Sequence, residues 1–320
     1  MSYVIGSFNL RDFNFANKSA DGTNEKVERD FQKIAHIILS EQFDVIALQE
    51  LNSELALQYL TSVLNRSKTL TCEYECVFGE KMHDGKSSLG PSRDPERYGF
   101  IWNAKRLRLL QTRRNNNPGY YRNAGANDLI RPPYYARFTA RGMLNGSNFE
   151  LRIVNTHIRD ASCEADRITE FDVLVRKVLP RICDHQEISE AGEIMPAYTF
   201  LVGDYNLALN KGERAVYRIE KITPTSYTGR LRSYHTVQEE ATTLKHPKDQ
   251  QTIEACYNNN YDHFTYEIDL DTKLQIVPQR VEALTKYFPE EIEPVSKLTE
   301  YRKKVSDHVP IKLTVDLRPR

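Results

Sequence analysis

Short apolar runs of strand length recur along the whole chain, and several are separated by segments with helical periodicity. These runs are predicted as β-strands at 4–10, 44–50, 98–103, 134–140, 149–155, 198–204, 261–268 and 311–317. Some runs, such as VIAL and FLV, are apolar on both faces, whereas the last one alternates. Sheets that pack on each other and carry helices on their outer faces would give this mixture, so the pattern indicates an α/β fold.

Amphipathic helices are predicted where apolar residues recur at helical spacing, in 25–41, 53–64 and 163–179. Ser53 is the expected N-cap of the second helix, because its hydroxyl can accept a hydrogen bond from a first-turn amide. Pro180 is expected to end the third helix, since proline lacks a backbone donor. Segments rich in Gly, Pro, Asn, Ser and Thr are predicted as long, functional loops at 80–97, 113–132 and 223–260.

The composition is that of a globular chain without excess charge. Of 320 residues, 40% are hydrophobic and 28% charged, with 44 basic and 44 acidic side chains. This balance excludes disorder and a globally basic nucleic-acid binder, so any phosphate-binding surface has to be local. No repeat or linker divides the chain, which predicts a single domain over residues 1–320.

Targeting signals and a disulfide framework are both absent from the sequence. No apolar run approaches the roughly 20 residues that cross a bilayer, and the N-terminal MSYVIGSFNL lacks the regions of a signal peptide. The five cysteines are odd in number and scattered. We therefore expect a cytoplasmic protein with no membrane partner and no obligate protein partner.

Polar side chains stand at or just beyond the ends of the predicted strands. An Asn or Asp in such a place is usually a turn residue, but so many strand ends with this feature indicate a site on one rim of a sheet sandwich. The residues that share this position are Asn9, Glu50, Asn155, His157, Asp204, Asn206, Asp262, Asp307 and His308.

The residue types indicate metal-assisted hydrolysis of a phosphate ester. Carboxylate and amide oxygens without clustered cysteines suit Mg²⁺ or Mn²⁺ rather than zinc. Two histidines near carboxylates suit general acid–base chemistry near neutral pH. Together these groups favour attack of water on a phosphoryl centre with help from a divalent metal.

The chain resembles the endonuclease/exonuclease/phosphatase superfamily, and within it deoxyribonuclease I. The motifs that carry this resemblance are FNLRDF (8–13), LQE (48–50), PERYGFIW (95–102), RPPYYARF (131–138), NTHIRDA (155–161), VGDYN (202–206), YDHF (261–264) and SDHVPI (306–311). They follow the family's order over almost the whole chain. The resemblance implies a four-layer α/β sandwich, with two packed central β-sheets flanked by helices and the site at one rim.

The resemblance also implies a role for each site residue. The metal would be held or oriented by Asn9, Glu50 and Asp307. The catalytic residues would be His157 oriented by Glu96, His308 oriented by Asp262, and Asp204 with Asn206, which position the attacking water and the scissile phosphate. Substrate phosphate would be bound by Arg131, Arg11 and Asn155. The implied cofactor is Mg²⁺ or Mn²⁺, with room left for a structural Ca²⁺.

Some positions depart from the pattern of deoxyribonuclease I. Asn52 stands where that enzyme has a minor-groove arginine, and Asp94 stands where it has a tyrosine that packs on the sugar. The disulfide that the family has near the site cannot form here, because Leu209 stands where the family has the cysteine that would pair with Cys256. The loss of a cation and an aromatic ring disfavours grip on an intact double helix.

We therefore predict a hydrolase of phosphate ester bonds, a divalent-metal-dependent nuclease whose substrate is DNA in preference to RNA. The alternatives are a phosphatase or phospholipase of the superfamily that acts on a small-molecule or lipid phosphoester, and a catalytically inactive scaffold of this fold. An inactive scaffold would have lost a central residue, and none is lost. An abasic-site endonuclease is disfavoured because that branch has a tyrosine at the position of His157.

A preference for single-stranded or distorted nucleic acid follows from the loops. Cations interleaved with aromatic rings suit backbone tracking and base stacking on one strand. The side chains that would supply them are Lys81, Lys86, Arg93, Arg113, Arg114, Tyr120 and Tyr121. The alternative is that these are solvated charges beside tyrosines that face the core.

Overall fold

The strands follow the apolar runs of the sequence. The computed structural model describes residues 2–18, 26–67, 72–80, 96–111, 118–121, 129–141, 149–160, 163–185, 196–208, 221–226, 231–246, 252–270 and 274–317. In chain order the strands are β1 (Ser2–Phe13), β2 (Ala16–Lys18), β3 (Lys26–Glu28), β4 (Val45–Leu51), β5 (Tyr74–Phe78), β6 (Arg97–Asn103), β7 (Leu107–Leu109), β8 (Gly119–Tyr120), β9 (Tyr134–Ala140), β10 (Glu150–His157), β11 (Ala197–Asp204), β12 (Lys221–Ser226), β13 (Leu231–Val237), β14 (Asp262–Glu267), β15 (Ile276–Arg280) and β16 (Ile311–Asp316). The helices are α1 (Phe31–Ser40), α2 (Glu54–Arg66), α3 (Glu164–Val173), α4 (Leu179–Asp184), α5 (Ala283–Lys286) and α6 (Pro294–Lys304).

Two mixed sheets contain nearly all of these strands. The first has the order β15-β16-β1-β4-β6-β5, and the second has the order β12-β13-β14-β11-β10-β9-β7 with β8 beside β9. β1 runs parallel to β4, and β10 runs parallel to β11. Their other neighbours in the sheets are antiparallel, and β2 pairs with β3 in a separate hairpin.

The sheets pack face to face, and helices cover their outer faces. The cluster between the sheets contains Ile5 and Phe100 of the first sheet with Phe138 and Phe200 of the second, all fully buried. Helices α1, α2, α5 and α6 pack on the outer face of the first sheet, and α3 and α4 pack on that of the second. The predicted four-layer α/β sandwich is therefore confirmed.

The helix predicted over 25–41 is shorter than expected. It begins at Phe31, because the Asp30 side chain accepts a hydrogen bond from the Lys33 amide at 2.8 Å and caps the first turn. Residues 26–28 instead form a strand that pairs with residues 16–18. The N-cap predicted at Ser53 is present, since its hydroxyl accepts from the Ala56 amide.

The helix predicted to end at Pro180 continues past that residue. Residues 174–178 form a π-helical turn in which the Leu179 amide donates to the Leu174 carbonyl. Pro180 then lies in the first turn of α4, where a missing donor costs nothing. The wider π turn therefore lets the chain stay helical to Asp184.

The prediction of a long loop over 223–260 was wrong for residues 231–237, which form β13 and pair with β14. Its sequence LRSYHTV has few apolar residues, so tertiary pairing rather than hydrophobic pattern makes this strand. Most of the other two predicted loops lies outside the described residues, at 81–95, 113–117 and 122–128.

Left-handed backbone turns the chain at the rim of the first sheet. Arg11 and Asp12 have φ of 44° and 49°, and Glu50 has φ of 58°. The register between β1 and β4 shifts in the same place, between Asn9 and Phe13. Such a bulge re-aims side chains where a strand leaves a sheet, and it directs Glu50 toward the rim.

Gly203 allows β10 and β11 to approach closely beside the rim. Its φ is 142°, and a Cβ at this position would overlap the backbone carbonyl of Thr156. Thr156 and Gly203 are paired in register, one residue before His157 and Asp204. A side chain here would therefore push apart the two strands that present those groups.

Candidate active site

Strand pairing brings the predicted strand-end residues to one rim of the sandwich. In the second sheet, Asp204 pairs in register with His157 on one side and with Asp262 on the other. In the first sheet, β1 and β4 run parallel, so Asn9 and Glu50 leave it at the same edge. Side chains from both sheets therefore converge.

Glu50, Glu96 and His157 form one cluster of possible ligand atoms, all within 4.8 Å of one another. The Nδ1 atom of His157 lies 2.8 Å from Oε2 of Glu96, and its Nε2 atom lies 4.0 Å from Oε1 of Glu50. A carboxylate beside Nδ1 favours the proton on that nitrogen. The Nε2 atom is then left to face the rim.

Asp204, Asp262 and His308 form the second cluster, with ligand atoms equally close together. The Nδ1 atom of His308 lies 2.8 Å from Oδ2 of Asp262. Thr242 donates to the same oxygen at 2.6 Å and also accepts from the Asp262 amide. Asp262 is thereby held in place to orient the imidazole.

Asp204 connects the two clusters. Its Oδ2 atom lies 3.6 Å from Nε2 of His157 and 3.5 Å from Nε2 of His308. The Asn9 amide nitrogen donates to this oxygen at 3.1 Å and to Oε1 of Glu50 at 2.8 Å. Both imidazoles therefore face one buried carboxylate, which the Asn9 amide connects to Glu50.

Asn206 and Arg131 complete the surroundings of His157. The Asn206 amide nitrogen lies 3.3 Å from Nε2 of His157 and donates to the Ile158 carbonyl at 2.9 Å. The Nη2 atom of Arg131 lies 2.5 Å from Oε1 of Glu96, and its Nη1 atom lies 3.1 Å from Nδ1 of His157. Both predicted residues thus lie beside His157.

Asp307 and Arg11 form an ion pair at the edge of this site. Their side chains approach to 3.3 Å, and Arg302 lies 3.8 Å from the same carboxylate. Asp307 belongs to neither cluster of ligand atoms in the described part of the chain. The metal role of Asp307 and the phosphate role of Arg11 stay predictions.

Asn155 is buried behind the site, between the two sheets. Its amide nitrogen donates to the carbonyls of Leu48 at 2.9 Å and Gly99 at 3.2 Å, and its oxygen accepts from Gln49 at 2.7 Å. These bonds tie β10 to β4 and β6. The phosphate-binding role stays a prediction, and the geometry is that of a connector between sheets.

The carboxylates favour the charged form of both histidines. Burial would lower the pKa of His157, but the charge and hydrogen bond of Glu96 together with the charge of Asp204 outweigh burial and raise it. Burial would also lower the pKa of His308, yet Asp262 and Asp204 raise it well above the usual value. Proton exchange at these imidazoles is therefore controlled by their carboxylate partners.

Burial and neighbouring negative charges favour the neutral form of two of the carboxylates. Burial raises the pKa of Glu50, and the charges of Glu96 and Asp307 raise it further against the lowering effect of His157. Burial likewise raises the pKa of Asp204, with Asp262 adding to the effect and the two histidines opposing it. Burial and the neighbouring carboxylates therefore disfavour full ionisation of Glu50 and Asp204.

The donor set at the rim fits a hard divalent cation. Mutual repulsion of carboxylates is relieved by a bound cation, and Asp262 Oδ1 is buried without a hydrogen-bond partner in the described chain. Of these donors, the carboxylate oxygens suit Mg²⁺ or Mn²⁺. Both carboxylate–histidine clusters could therefore hold a metal.

Several positioning residues escaped the sequence analysis. Ser306 accepts from the His308 amide and donates to the Asn9 carbonyl at 2.6 Å, and the Tyr98 hydroxyl accepts from the His157 amide at 3.1 Å. Their places within the SDH and PERY motifs were a usable signal. Thr242 had none, because it lies in a segment that reads as a loop.

The arrangement contains the groups that hydrolysis of a phosphate ester requires. One imidazole can accept a proton from water while the other donates to the departing oxygen. A divalent cation, when bound, would stabilise negative charge that develops on the phosphoryl group. Arg131 can contribute to the same stabilisation from the side of His157.

Comparisons with known proteins agree with this fold. No protein-family model matches the chain. Over 166 residues, 48% of this chain, it is 25% identical to the endonuclease/exonuclease/phosphatase family domain-containing protein 1 of Xenopus laevis. The match covers 26% of that relative, so the chain spans about a quarter of its length.

Solved structures match over the whole chain at low identity. A humanized TDP2 of D. rerio aligns with a TM-score of 0.53 and 15% identity, covering 99% of each chain. A further structure of D. rerio TDP2, complexed with a single-strand DNA product, has a TM-score of 0.50 at the same identity and coverage. A mannosyl-6-phosphatase of Bacteroides thetaiotaomicron has a TM-score of 0.55 and 14% identity, covering 98% of this chain and 100% of its own.

The protein therefore has the fold of a class of two-sheet phosphoesterases. The resemblance to the endonuclease/exonuclease/phosphatase superfamily is confirmed, and the chain has the deoxyribonuclease I-like fold. Within the described residues, no helix has the length and apolar character needed to cross a membrane. All five cysteines lie in the described part of the chain, and none of them, Cys256 included, forms a disulfide there.

The departures that bear on substrate are only partly described. Asn52 lies at the rim, where its side chain donates to Asp12 at 3.3 Å. Tyr120 and Tyr121 are half-buried against the core tyrosines Tyr134 and Tyr135, which favours the core-facing alternative for both rings. The remaining residues of that prediction lie outside the described part of the chain: Asp94, Lys81, Lys86, Arg93, Arg113 and Arg114.

Proposed function

We propose that the protein is a divalent-metal-dependent nuclease that hydrolyses phosphodiester bonds, with DNA as the substrate in preference to RNA. The observation that carries the proposal is the carboxylate Asp204, which lies within 3.6 Å of His157 and 3.5 Å of His308. Each imidazole has its own second carboxylate on Nδ1. Two imidazoles that are oriented in this way can transfer protons on both sides of a phosphoryl centre.

In this mechanism His157 and His308 exchange protons with the attacking water and the leaving oxygen. Asp204 and Asn206 orient the water and the scissile phosphate, and Arg131 binds a phosphoryl oxygen. The metal is Mg²⁺ or Mn²⁺, which compensates the carboxylates clustered around Glu50. We further propose that the site belongs to a single domain over residues 1–320 and that the enzyme works in the cytoplasm.

Nucleic acid as substrate is supported by the comparison with D. rerio TDP2, one structure of which contains a single-strand DNA product. The second candidate function is that of a phosphatase for a small phosphoester. It is supported by the likeness to the mannosyl-6-phosphatase of Bacteroides thetaiotaomicron. A phosphomonoester needs the same proton transfers, so the two candidates differ in what binds around the scissile phosphate.

A parallel substrate screen separates these candidates. Plasmid DNA, single-stranded DNA and RNA would be incubated with Mg²⁺ or Mn²⁺ and resolved on gels, while a phosphate-release assay follows phosphorylated sugars. We expect internal cleavage of DNA and little release of inorganic phosphate. Rapid phosphate release with intact nucleic acid would favour the phosphatase instead. His157→Ala, run beside wild type, checks that either activity comes from this site.

A further inference from the structure

Exposed aromatic side chains lie beside the candidate active site. Phe15 is 43% exposed, Tyr59 is 41% exposed, and Leu55, one helical turn from Tyr59, is 68% exposed. The ring centres of Phe15 and Tyr59 are 5.8 Å apart at an angle of 53°. Large apolar side chains that remain together at a surface usually mark a binding site.

The platform formed by Phe15 and Tyr59 is anchored in the core. Phe31, which is buried, contacts Phe15 with ring centres 5.5 Å apart and Tyr59 with ring centres 4.9 Å apart. Phe31 in turn packs edge-on against the buried ring of Phe13 at 5.6 Å. The exposed rings are therefore held by aromatic packing below them, which lowers the entropy lost when a ligand stacks on top.

The platform is continuous with the rim of the site. The Asp12 amide donates to Oε2 of Glu50 at 3.1 Å, and the Asn52 amide donates to the Phe13 carbonyl at 2.9 Å. Phe15 follows Asp12 by three residues, a span of at most about 10 Å even in extended chain. A nucleotide next to the scissile phosphate could reach this distance.

A cation extends the platform away from the site. The guanidinium of Arg66 lies 5.7 Å from the centre of the Tyr59 ring, and Arg66 itself is exposed. Aromatic faces followed by a cation are the combination that binds bases by stacking and the backbone by charge. Beside a site for which we propose phosphodiester hydrolysis, this combination favours a nucleic acid strand over a lipid surface or a protein partner.

We propose that Phe15 and Tyr59 form a stacking subsite for a nucleobase of a single strand whose phosphate lies at the Glu50–His157 site. The subsite rests on the proposed nuclease function and specifies its substrate as unpaired nucleic acid. Bases inside a duplex present only their edges, so the flat faces needed here are available on a single strand. The subsite replaces Tyr120 and Tyr121 as the stacking surface of the enzyme.

The test compares two substrates with identical backbones. One is a short oligothymidylate, and the other carries abasic tetrahydrofuran sugars at every position. We expect wild type to cleave the oligothymidylate with at least a 5-fold higher kcat/KM, the lower limit for one stacked base. Phe15→Leu and Tyr59→Leu should bring this ratio toward one, whereas Phe15→Trp should retain it. Val277→Ala is the control: it shortens an exposed apolar side chain of β15 and should keep the wild-type ratio.

Binding gives a second readout that does not depend on turnover. A strand that contains 2-aminopurine, mixed with the protein in EDTA, should lose fluorescence on wild type and Phe15→Trp but not on Phe15→Leu. Equal cleavage of the oligothymidylate and the abasic strand by wild type would agree with the proposed nuclease function and would contradict the stacking subsite. Cleavage of neither, with no quenching, would reject both proposals. Loss of binding to anionic phospholipid vesicles in Phe15→Leu, with unchanged quenching, would assign the platform to a lipid surface instead.

Discussion

At the scale of single residues, the site is organised around a carboxylate that both histidines share. Asp204 is almost completely buried, and it faces the Nε2 atoms of His157 and His308. The partners Glu96 and Asp262 lie behind the imidazoles, on Nδ1. Each histidine is therefore fixed at one nitrogen and available at the other, as a proton-transfer group must be.

Removal of either imidazole should lower the rate of hydrolysis strongly. We expect His157→Ala and His308→Ala each to lower kcat about 10²- to 10⁴-fold, the usual effect of a lost general acid or base. The double variant should lose less than the product of the single losses, because the pair acts as a unit. Steady-state rates on one oligonucleotide measure all three. His246→Ala, an exposed histidine, is the matched control.

Retention of a third of the wild-type kcat in either single variant would mean that the histidine only packs at the rim. A double variant whose loss equals the full product would show that the two imidazoles act independently.

The residues of the site differ in how far sequence could reveal them. Asp204 and His157 were predictable because a polar residue that directly follows an apolar strand has to emerge at a sheet edge. Asn155 has the same position, yet it turns inward to Leu48 and Gly99, and alternation along a strand cannot report that bond. Thr242 contacts Asp262 across a long chain separation that leaves no local pattern.

At the scale of secondary-structure elements, Asn155 shows how the two sheets are kept in register with each other. It is fully buried and connects β10 to β4 and β6. Asn155→Leu keeps the branching and the number of side-chain heavy atoms but removes these bonds, and Gln49 loses one of its acceptors. We expect a loss of about 1–3 kcal/mol in the free energy of unfolding, measured by urea denaturation at neutral pH.

The same substitution should slow hydrolysis, since Glu50 and His157 belong to the two sheets that Asn155 joins. A free energy of unfolding within about 0.5 kcal/mol of wild type would contradict the connector role. Ser62→Ala, at a half-buried position on α2 outside the site, provides the comparison for an ordinary substitution.

Glu41, at the end of α1, joins that helix to the C-terminal part of the chain. Its carboxylate contacts Lys286 at 2.9 Å, Tyr287 at 2.6 Å and Lys312 at 2.6 Å. Burial alone would raise the pKa of Glu41, but the hydrogen bonds from Lys312, Tyr287 and Lys286 outweigh it and lower the pKa to about 2. The ionised form is therefore stabilised in the folded state.

The sign of this shift gives a stability prediction. The contribution of Glu41 is fully present above its ordinary pKa of 4.5 and is lost as the pH falls toward 2. We expect Glu41→Gln to cost on the order of 1–3 kcal/mol at pH 7 and to reduce the loss of stability between pH 5 and pH 2.5. Urea denaturation across that range measures both. An identical pH dependence in the variant and wild type would contradict the assignment.

The elements themselves were predictable where hydrophobic pattern decides them. The central strands β1, β4, β10 and β11 read as strands because both of their faces are buried. β13 was missed because its pairing with β14 makes it a strand despite a polar sequence. The helix that passes Pro180 was missed because a π turn precedes that proline.

At the scale of the whole molecule, each sheet carries part of the site. Asn9 and Glu50 come from the first sheet, while His157, Asp204 and Asp262 come from the second. The site therefore exists only when the two sheets are packed. The sequence resemblance predicted this sandwich, because the ordered motifs extend over almost the entire chain.

Metal-dependent cleavage of a phosphodiester bond is the central claim. The most direct measurement is cleavage of a 5′-labelled single-stranded oligonucleotide by wild type, with Mg²⁺ or Mn²⁺ and with EDTA, beside Glu50→Gln and the control Glu54→Gln. We expect cleavage by wild type and Glu54→Gln with metal, none in EDTA, and none by Glu50→Gln at an unchanged melting temperature. Full turnover in EDTA, or near wild-type activity of folded Glu50→Gln, would contradict the account.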